Sequence, residues 1–292
     1  MKNNIIVLGK FGQLSRSLQN FKISKPFIFI GSDQLDLRAT NEISRKLRIY
    51  SPSVIINCAA FNDVDGAERG NEDNQLINFY GIKEVVNFCK ESNVKLIHIS
   101  TDYVFDGEKS SPYTENDLTK PINKYGLAKL QAEVEIIREL KYFFILRTSW
   151  LYSHFQTEYN FLNKIISLIK SGSDLYGATD LIGTPTYSND LARIILEILE
   201  SNSWDKSGVY HAVNNGSVSR YIFIKEILEL TSQHIKNQCY VHKSKANDFK
   251  QTALRPVYTG MSNSKLQENF NISINDWDAA LKIAINNFFL TN

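Results

Sequence analysis

Short unbroken apolar runs alternate with amphipathic stretches through the first half of the chain. Ile5-Ile6-Val7-Leu8, Phe27-Ile28-Phe29-Ile30, Val54-Ile55-Ile56, Val94 to Ile99 and Tyr142 to Leu146 are the runs, each the length of a buried strand. Between them Leu14, Leu18 and Phe21 recur at near-helical spacing. Ile43, Leu47 and Tyr50 share one face of a helix over 41–50 that stops before Pro52. Leu76, Ile77, Tyr80, Val85 and Phe88 give the buried side of a helix over 74–89, and 127–140 continues a helix that begins near Tyr125. Strand and helix taken in turn predict an α/β fold, a Rossmann-type doubly wound parallel sheet.

Past residue 150 the alternation loosens. Helical patterns recur over 161–169, 188–199, 222–230 and 279–289, separated by turn-rich stretches such as Gly183-Thr184-Pro185 and Asn214-Asn215-Gly216-Ser217. This predicts a first unit over 1–150, to which segments around 175–205 return, and a smaller α/β lobe made mainly of 151–292. No fixed-period repeat or low-complexity tract appears.

Composition narrows the class. The 292 residues suffice for a core and an attached lobe, and 43% hydrophobic with 22% charged residues is the mixture of a folded globular chain. No run of eighteen apolar residues occurs, and Met1-Lys2-Asn3-Asn4 leads into an apolar stretch too short for a signal peptide, so a cytoplasmic location is expected. The net charge of +2, from 33 basic and 31 acidic residues spread along the chain, gives no pull on nucleic acid. Clusters such as Arg45-Lys46 with Arg48 read as solvated helix faces. Cys58, Cys89 and Cys239 are widely spaced without a C-x-x-C pair, which suits reduced thiols rather than a disulfide frame or zinc site. The histidines form no ligand cluster, and His98, on a strand, reads as a satisfied core residue.

The chemistry centres on Tyr125 and Lys129. Four residues apart on a helix, a phenol and an ammonium face the same side, and the cation is expected to lower the phenol's pKa towards working pH, as a general acid requires. Gly9-Lys10-Phe11-Gly12-Gln13-Leu14-Ser15, between the first strand and helix, is the turn in which backbone N–H groups meet a pyrophosphate, though Ser15 stands where a third glycine is usual. Asp33 or Asp36-Leu37 after the second strand would meet an adenosine ribose. Lys10 and Arg16 could instead meet a 2′-phosphate, so NADPH and NADH both stay open. Ala59 and Ala60 at the third strand's end allow a flat cofactor close approach or are ordinary packing. Thr101, ending the fourth strand, is the hydroxyl that could reach the same carbonyl oxygen as Tyr125.

Taken together, these residues resemble the extended short-chain dehydrogenases/reductases, and among them the branch that reduces dTDP-4-keto-6-deoxy sugars, the dTDP-4-dehydrorhamnose reductases. The likeness runs over nearly the whole chain. It includes Gly9-x-x-Gly12-Gln13-Leu14, Asn57-Cys58-Ala59-Ala60-Phe61-x-x-Val64-Asp65, Ser100-Thr101-Asp102-Tyr103-Val104-Phe105-Asp106-Gly107, Tyr125-Gly126-x-x-Lys129, Arg147-Thr148-Ser149-Trp150, Gly183-x-Pro185-Thr186 and Arg255-Pro256. The resemblance implies a catalytic trio of Thr101, Tyr125 and Lys129. It implies NADPH or NADH held by Gly9, Lys10, Gly12, Gln13, Leu14, Asp36, Leu37, Ala59, Ala60 and Phe61, with Tyr125 and Lys129 at the nicotinamide end. A dTDP-sugar would touch Val64, Thr101, Asp102, Trp150 and Arg255.

Ser17 stands where some relatives carry a glutamate that shares a metal between subunits, so no metal is expected, while a homodimer stays compatible. Asn62-Asp63 and Tyr258 depart from the pattern beside the sugar, leaving open another 4-keto sugar or an epimerase. Other relatives keep the fold and cofactor as regulatory partners of methionine adenosyltransferase. The intact trio favours the enzyme.

Overall fold

Each apolar run becomes a strand because its side chains can be buried on both faces of one sheet. In the computed structural model, which describes residues 4–21, 27–157 and 160–291, the Met1-Lys2-Asn3 lead-in lies outside the described residues. The first half contains β1 (Asn4–Leu8), α1 (Gln13–Asn20), β2 (Phe27–Ile30), α2 (Thr40–Tyr50), β3 (Pro52–Asn57) and the short α3 (Val64–Glu68) and α4 (Asp73–Gln75). A π-helical turn, Leu76–Tyr80, joins α4 to α5 (Gly81–Ser92), followed by β4 (Lys95–Thr101), α6 (Lys124–Glu139) and β5 (Phe143–Thr148). The second half contains β6 (Leu151–Tyr152), α7 (Phe161–Lys170), β7 (Leu175–Ala178), β8 (Ile182–Gly183), β9 (Thr186–Tyr187), α8 (Ser188–Ser201) and β10 (Gly208–His211). It ends with β11 (Val218–Ser219), α9 (Arg220–Thr231), β12 (Val241–Ser244), β13 (Tyr258–Thr259), α10 (Ser264–Phe270) and α11 (Trp277–Leu290).

The main sheet has the order β10-β5-β4-β3-β1-β2, and every pairing in it is parallel. From β1 the chain steps outward to β2, then returns past β1 to β3. The carboxyl ends of β1 and β3 therefore flank the point where connections diverge to opposite faces, which leaves a crevice there. Ile43, Leu47, Val85, Val86, Ala132 and Ile136 cover one face of the sheet. The other is covered by Leu14 and Leu18 with Ile194, Ile195 and Ile198. Thus α8 and β10, from late in the sequence, complete the sheet's second face and its far edge. A separate core joins β6, β7 and β9 to α7, α9 and α11 through residues such as Leu162, Ile166, Phe223, Ile227 and Leu281. No helix among the described residues is long and apolar enough to cross a membrane.

The helix expected over 74–89 differs in detail. Its π turn carries an extra residue, which rotates the preceding segment about the axis. Tyr80, expected to be buried, is 49% exposed, while Asn74 and Asn78 turn inward. The Asn78 amide donates to Asn74 Oδ1 at 2.9 Å and to Phe61 O at 2.9 Å, and its Oδ1 accepts the Phe61 N–H at 3.1 Å. Asn74 Nδ2 in turn donates to Lys124 O at 3.0 Å. Two polar side chains thereby tie the loop after β3 to the start of α6.

Candidate active site

The crevice begins at the turn after β1. Gly9 adopts φ +86°, and a Cβ there would lie 2.8 Å from Ala59 N, so only glycine lets the ends of β1 and β3 meet this closely. Gly12 N–H closes the turn on Gly9 O at 3.0 Å and precedes α1, whose start has no side-chain cap. Uncapped N–H groups at a helix start suit an anion. Gln13 Oε1 is buried here without a partner, a polar atom that a bound ligand would satisfy.

Two connected concavities follow from this geometry. One, of about 400 Å³, is walled by Gly9, Lys10, Asp36, Leu37, Ala59 and Ala60. The other, of about 340 Å³, shares Gly12, Ala59 and Ala60 with it and adds Gln13 and Leu14. Thr101, Tyr125 and Lys129 line this deeper space, facing Val64, Asp102 and Trp150. Two expected contacts stand just outside both concavities. Phe61 is held through its backbone by Asn78, and Arg255 pairs with Asp65 at 3.2 Å, with its guanidinium 5.9 Å from the Tyr103 ring. Asp36 does not face an adenosine pocket freely: Arg38 grips its carboxylate at 2.7 Å and holds its pKa below the usual value.

Tyr125 owes its position to the start of α6. Asn123 caps that helix, its Oδ1 accepting Gly126 N–H at 2.8 Å, and Gly126 packs against the Tyr103 carbonyl so closely that no Cβ would fit. One turn beyond Lys129, buried Glu133 takes Arg147 at 2.7 Å and the Ser100 hydroxyl, fastening α6 to β4 and β5. The chemistry-bearing face of the helix is therefore fixed at both ends.

The electrostatics correct one expectation. Lys129 does not acidify Tyr125. Burial pushes the phenol's pKa up, against the opposing effect of the Thr101 hydroxyl, and the ammonium is turned elsewhere. Lys129 Nζ donates to Ile99 O at 2.6 Å and lies 3.4 Å from His98 Nε2, while burial lowers its own pKa to about 8. His98 is buried and held neutral, chiefly by burial and then by the Lys129 charge, with Nδ1 3.1 Å from Asn57 Nδ2. Tyr125 Oη reaches Asn62 Oδ1 at 3.4 Å. Thr101 Oγ1 accepts Tyr103 N–H at 3.2 Å and donates to Asp102 Oδ1 at 3.1 Å; Asp102 also accepts from Ser149 at 2.8 Å, and burial raises its pKa. A phenol that keeps its proton at neutral pH, beside an ordered hydroxyl, can give that proton to an oxygen gaining charge.

Ser15 and Ser17 find local roles. Both are fully buried; Ser15 sits beside the Cys58 thiol, whose pKa burial pushes up to about 12, and Ser17 Oγ donates to Ser188 on α8 at 2.7 Å. Four further residues went unseen in the sequence. Asn74 and Asn78 lay within an apparent helix, and Arg38 follows Asp36-Leu37 without belonging to any motif. Arg220, a single arginine starting α9, lines the deeper cavity with its guanidinium 3.5 Å over the Trp150 ring.

Comparison with known proteins agrees with this geometry. The family described as RmlD substrate binding domain matches residues 1–289. A dTDP-4-dehydrorhamnose reductase of Aggregatibacter actinomycetemcomitans is 31% identical over 286 residues, covering 95% of this chain and 97% of that protein. One from Sinorhizobium fredii is 30% identical over 283 residues, 95% of each. The crystal structure of dTDP-4-dehydrorhamnose reductase from Bacillus anthracis in complex with NADP superposes over 100% of both chains with a TM-score of 0.90 at 30% identity.

Proposed function

We propose that this chain, which belongs to the RmlD substrate-binding-domain family, reduces the C4 keto group of dTDP-4-dehydro-L-rhamnose with NAD(P)H, giving dTDP-L-rhamnose for polysaccharide synthesis. The observation that carries the reading is the convergence of Thr101, Tyr125, Lys129 and Trp150 on one cavity that opens into the glycine-turn crevice.

The crevice suits a nicotinamide dinucleotide: the turn at Gly9 and Gly12 for the pyrophosphate, Ala59 and Ala60 for a flat ring, and the unpartnered Gln13 Oε1 at the junction. When bound, that cofactor supplies the hydride. Tyr125 then moves its Oη proton to the C4 oxygen as charge develops there. Thr101 Oγ1, its proton turned from Asp102 Oδ1 to the substrate, holds the same oxygen, a contact worth about 3 to 4 kcal/mol if it strengthens in the transition state. Lys129, still protonated below about pH 8, would supply positive charge to the ribose end of the cofactor. Trp150 walls the sugar side, with Val64 and Asp102 beside it.

In this reading residues 1–150 bind the cofactor, joined by α8 and β10, and 151–292 serve mainly the sugar nucleotide, in the cytoplasm. The test follows NADPH or NADH absorbance with purified protein and dTDP-4-dehydro-L-rhamnose. Steady oxidation of the reduced cofactor is expected, and tight cofactor binding without turnover would overturn the reading. A second reading, reduction of another dTDP-4-keto-6-deoxy sugar, draws on Asn62, whose amide stands 3.4 Å from the phenol where it could meet a differently placed hydroxyl.

A further inference from the structure

We propose that Asn57 and His98 act together as positioning residues for Lys129: Asn57 fixes the ring's hydrogen on Nε2, where it faces the amine and loosens the amine's hold on its own proton. This deepens the reductase reading and rests on it for the place of Lys129 at the ribose end of the cofactor. His98, on β4, is wholly buried, and both of its ring nitrogens meet polar groups.

Which nitrogen carries the hydrogen follows from the neighbours. The Asn57 amide cannot be turned round, because its Oδ1 accepts the Ala59 N–H at 3.3 Å and its Nδ2 donates to the Ala59 carbonyl at 3.3 Å. The same Nδ2 lies 3.1 Å from His98 Nδ1. An amide nitrogen has only hydrogens to offer, so Nδ1 accepts, and the hydrogen of the neutral ring is on Nε2. Lys129 Nζ lies 3.4 Å from that nitrogen.

The two forms of Lys129 meet this N–H differently. A neutral amine has two hydrogens and a lone pair. One hydrogen serves the Ile99 carbonyl at 2.6 Å, the lone pair takes the Nε2 hydrogen, and the other hydrogen is left for the ribose. An ammonium has three hydrogens and no lone pair, so donor faces donor. A hydrogen bond that only the neutral form can accept disfavours the charged one. It acts alongside burial, the main cause that brings this pKa to about 8 against Glu133 and Cys58.

The other titratable groups around the amine leave this contact in place. Glu133, one turn further along α6, is paired with Arg147 of β5. Cys58, after β3, keeps its thiol proton because burial pushes its pKa up to about 12, and Tyr125, one turn back, keeps its phenol proton for the same reason. Lys129 therefore gives up its proton close to neutral pH. Asn57 also ties the ring to Ala59, which walls both concavities.

Two measurements on the full-length protein test this. Ring-nitrogen NMR without ligands reads the tautomer of His98, identified by through-bond assignment from its own backbone. A bare Nδ1 and a protonated Nε2 are expected, and a hydrogen on Nδ1 overturns the proposal. Separately, NADH affinity is followed by fluorescence from about pH 7 to about pH 9.5, a range in which the cofactor's diphosphate keeps its charge. Wild-type affinity should fall as pH rises through about 8, where Lys129 loses its charge. In His98→Leu the fall should move up by about half to one pH unit, the worth of one hydrogen bond. In Asn57→Ala the ring can present a bare Nε2 to the ammonium, and the fall should move up at least as far. A histidine that only fills space would change affinity at every pH without moving the fall.

An affinity flat with pH in the wild type, or a fall that keeps its place in His98→Leu, overturns the proposal. Movement in His98→Leu alone keeps His98 and overturns the part given to Asn57. Where a variant does not fold, the wild-type tautomer decides. The expected tautomer and shifts in a protein that reduces no dTDP-4-keto sugar uphold this proposal and overturn the reductase reading instead.

Discussion

Replacing Lys129 by methionine should reveal a cost that the fold carries at neutral pH. The amine is 2% exposed, and burial brings its pKa from 10.5 down to about 8, against the opposing pull of Glu133 and Cys58. The unfolded chain keeps this proton to about pH 10.4, so between about pH 8 and about pH 10.5 it binds more protons than the folded chain and stability rises with pH. The stabilising contribution is complete above the unfolded value and is lost as pH falls through the folded one. At 1.36 kcal/mol per pH unit, the drop is worth about 3 kcal/mol, of which about 2.5 kcal/mol appears between about pH 7 and about pH 10. Lys129→Met has no such group, and the other titrations are common to both proteins. Urea unfolding of both at the two pH values gives the comparison. The wild type should gain about 2.5 kcal/mol on the variant on the alkaline side. A difference that stays flat with pH would mean that the ammonium is not desolvated at the Ile99 carbonyl, and the placement of Lys129 would have to be abandoned.

Tyr125→Phe should lose more than about a hundredfold in turnover while NADPH binding, followed by fluorescence, is kept. Trp150→Ala removes the wall of the sugar side and the surface under Arg220; calorimetry should show weaker dTDP-sugar binding with cofactor affinity unchanged. Asn78→Ala leaves the half-buried Phe61 N–H and C=O without their partner and should cost about 1 kcal/mol in urea unfolding. Arg38→Ala frees the Asp36 carboxylate in the adenosine concavity, so KM for NADPH should rise more than KM for NADH, read from parallel steady-state assays.

Local pattern carried the sheet and the reacting groups into view for a plain reason. β1, β3, β4 and β5 are buried on both faces and so are written as apolar runs, and Tyr125 with Lys129 is a contact made within one helix. What stayed illegible depends on contacts distant in sequence. β10 is only Gly208-Val209-Tyr210-His211, too short to show a period, and it is a strand because β5 pairs with it. The π turn left no mark in the residues, so Tyr80 read as buried and Asn78 drew no notice. Burial raises the phenol's pKa where the cation one turn away was expected to lower it, and spacing along a helix cannot report burial. Arg220 acquires meaning only from Trp150 and Phe161, which reach it from two other elements.

The lateness of β10 bears on how the molecule can be made and dissected. All six residues of β5 are buried, and the neighbour on its outer side comes from Gly208–His211. A chain released or cut near residue 150 would show Phe143, Phe144, Ile145 and Leu146 along an unpaired strand, an invitation to another such chain. During synthesis the nascent protein passes through that hazardous stage until residue 211 has emerged, and any fragment meant to stand alone must wait for the same four residues.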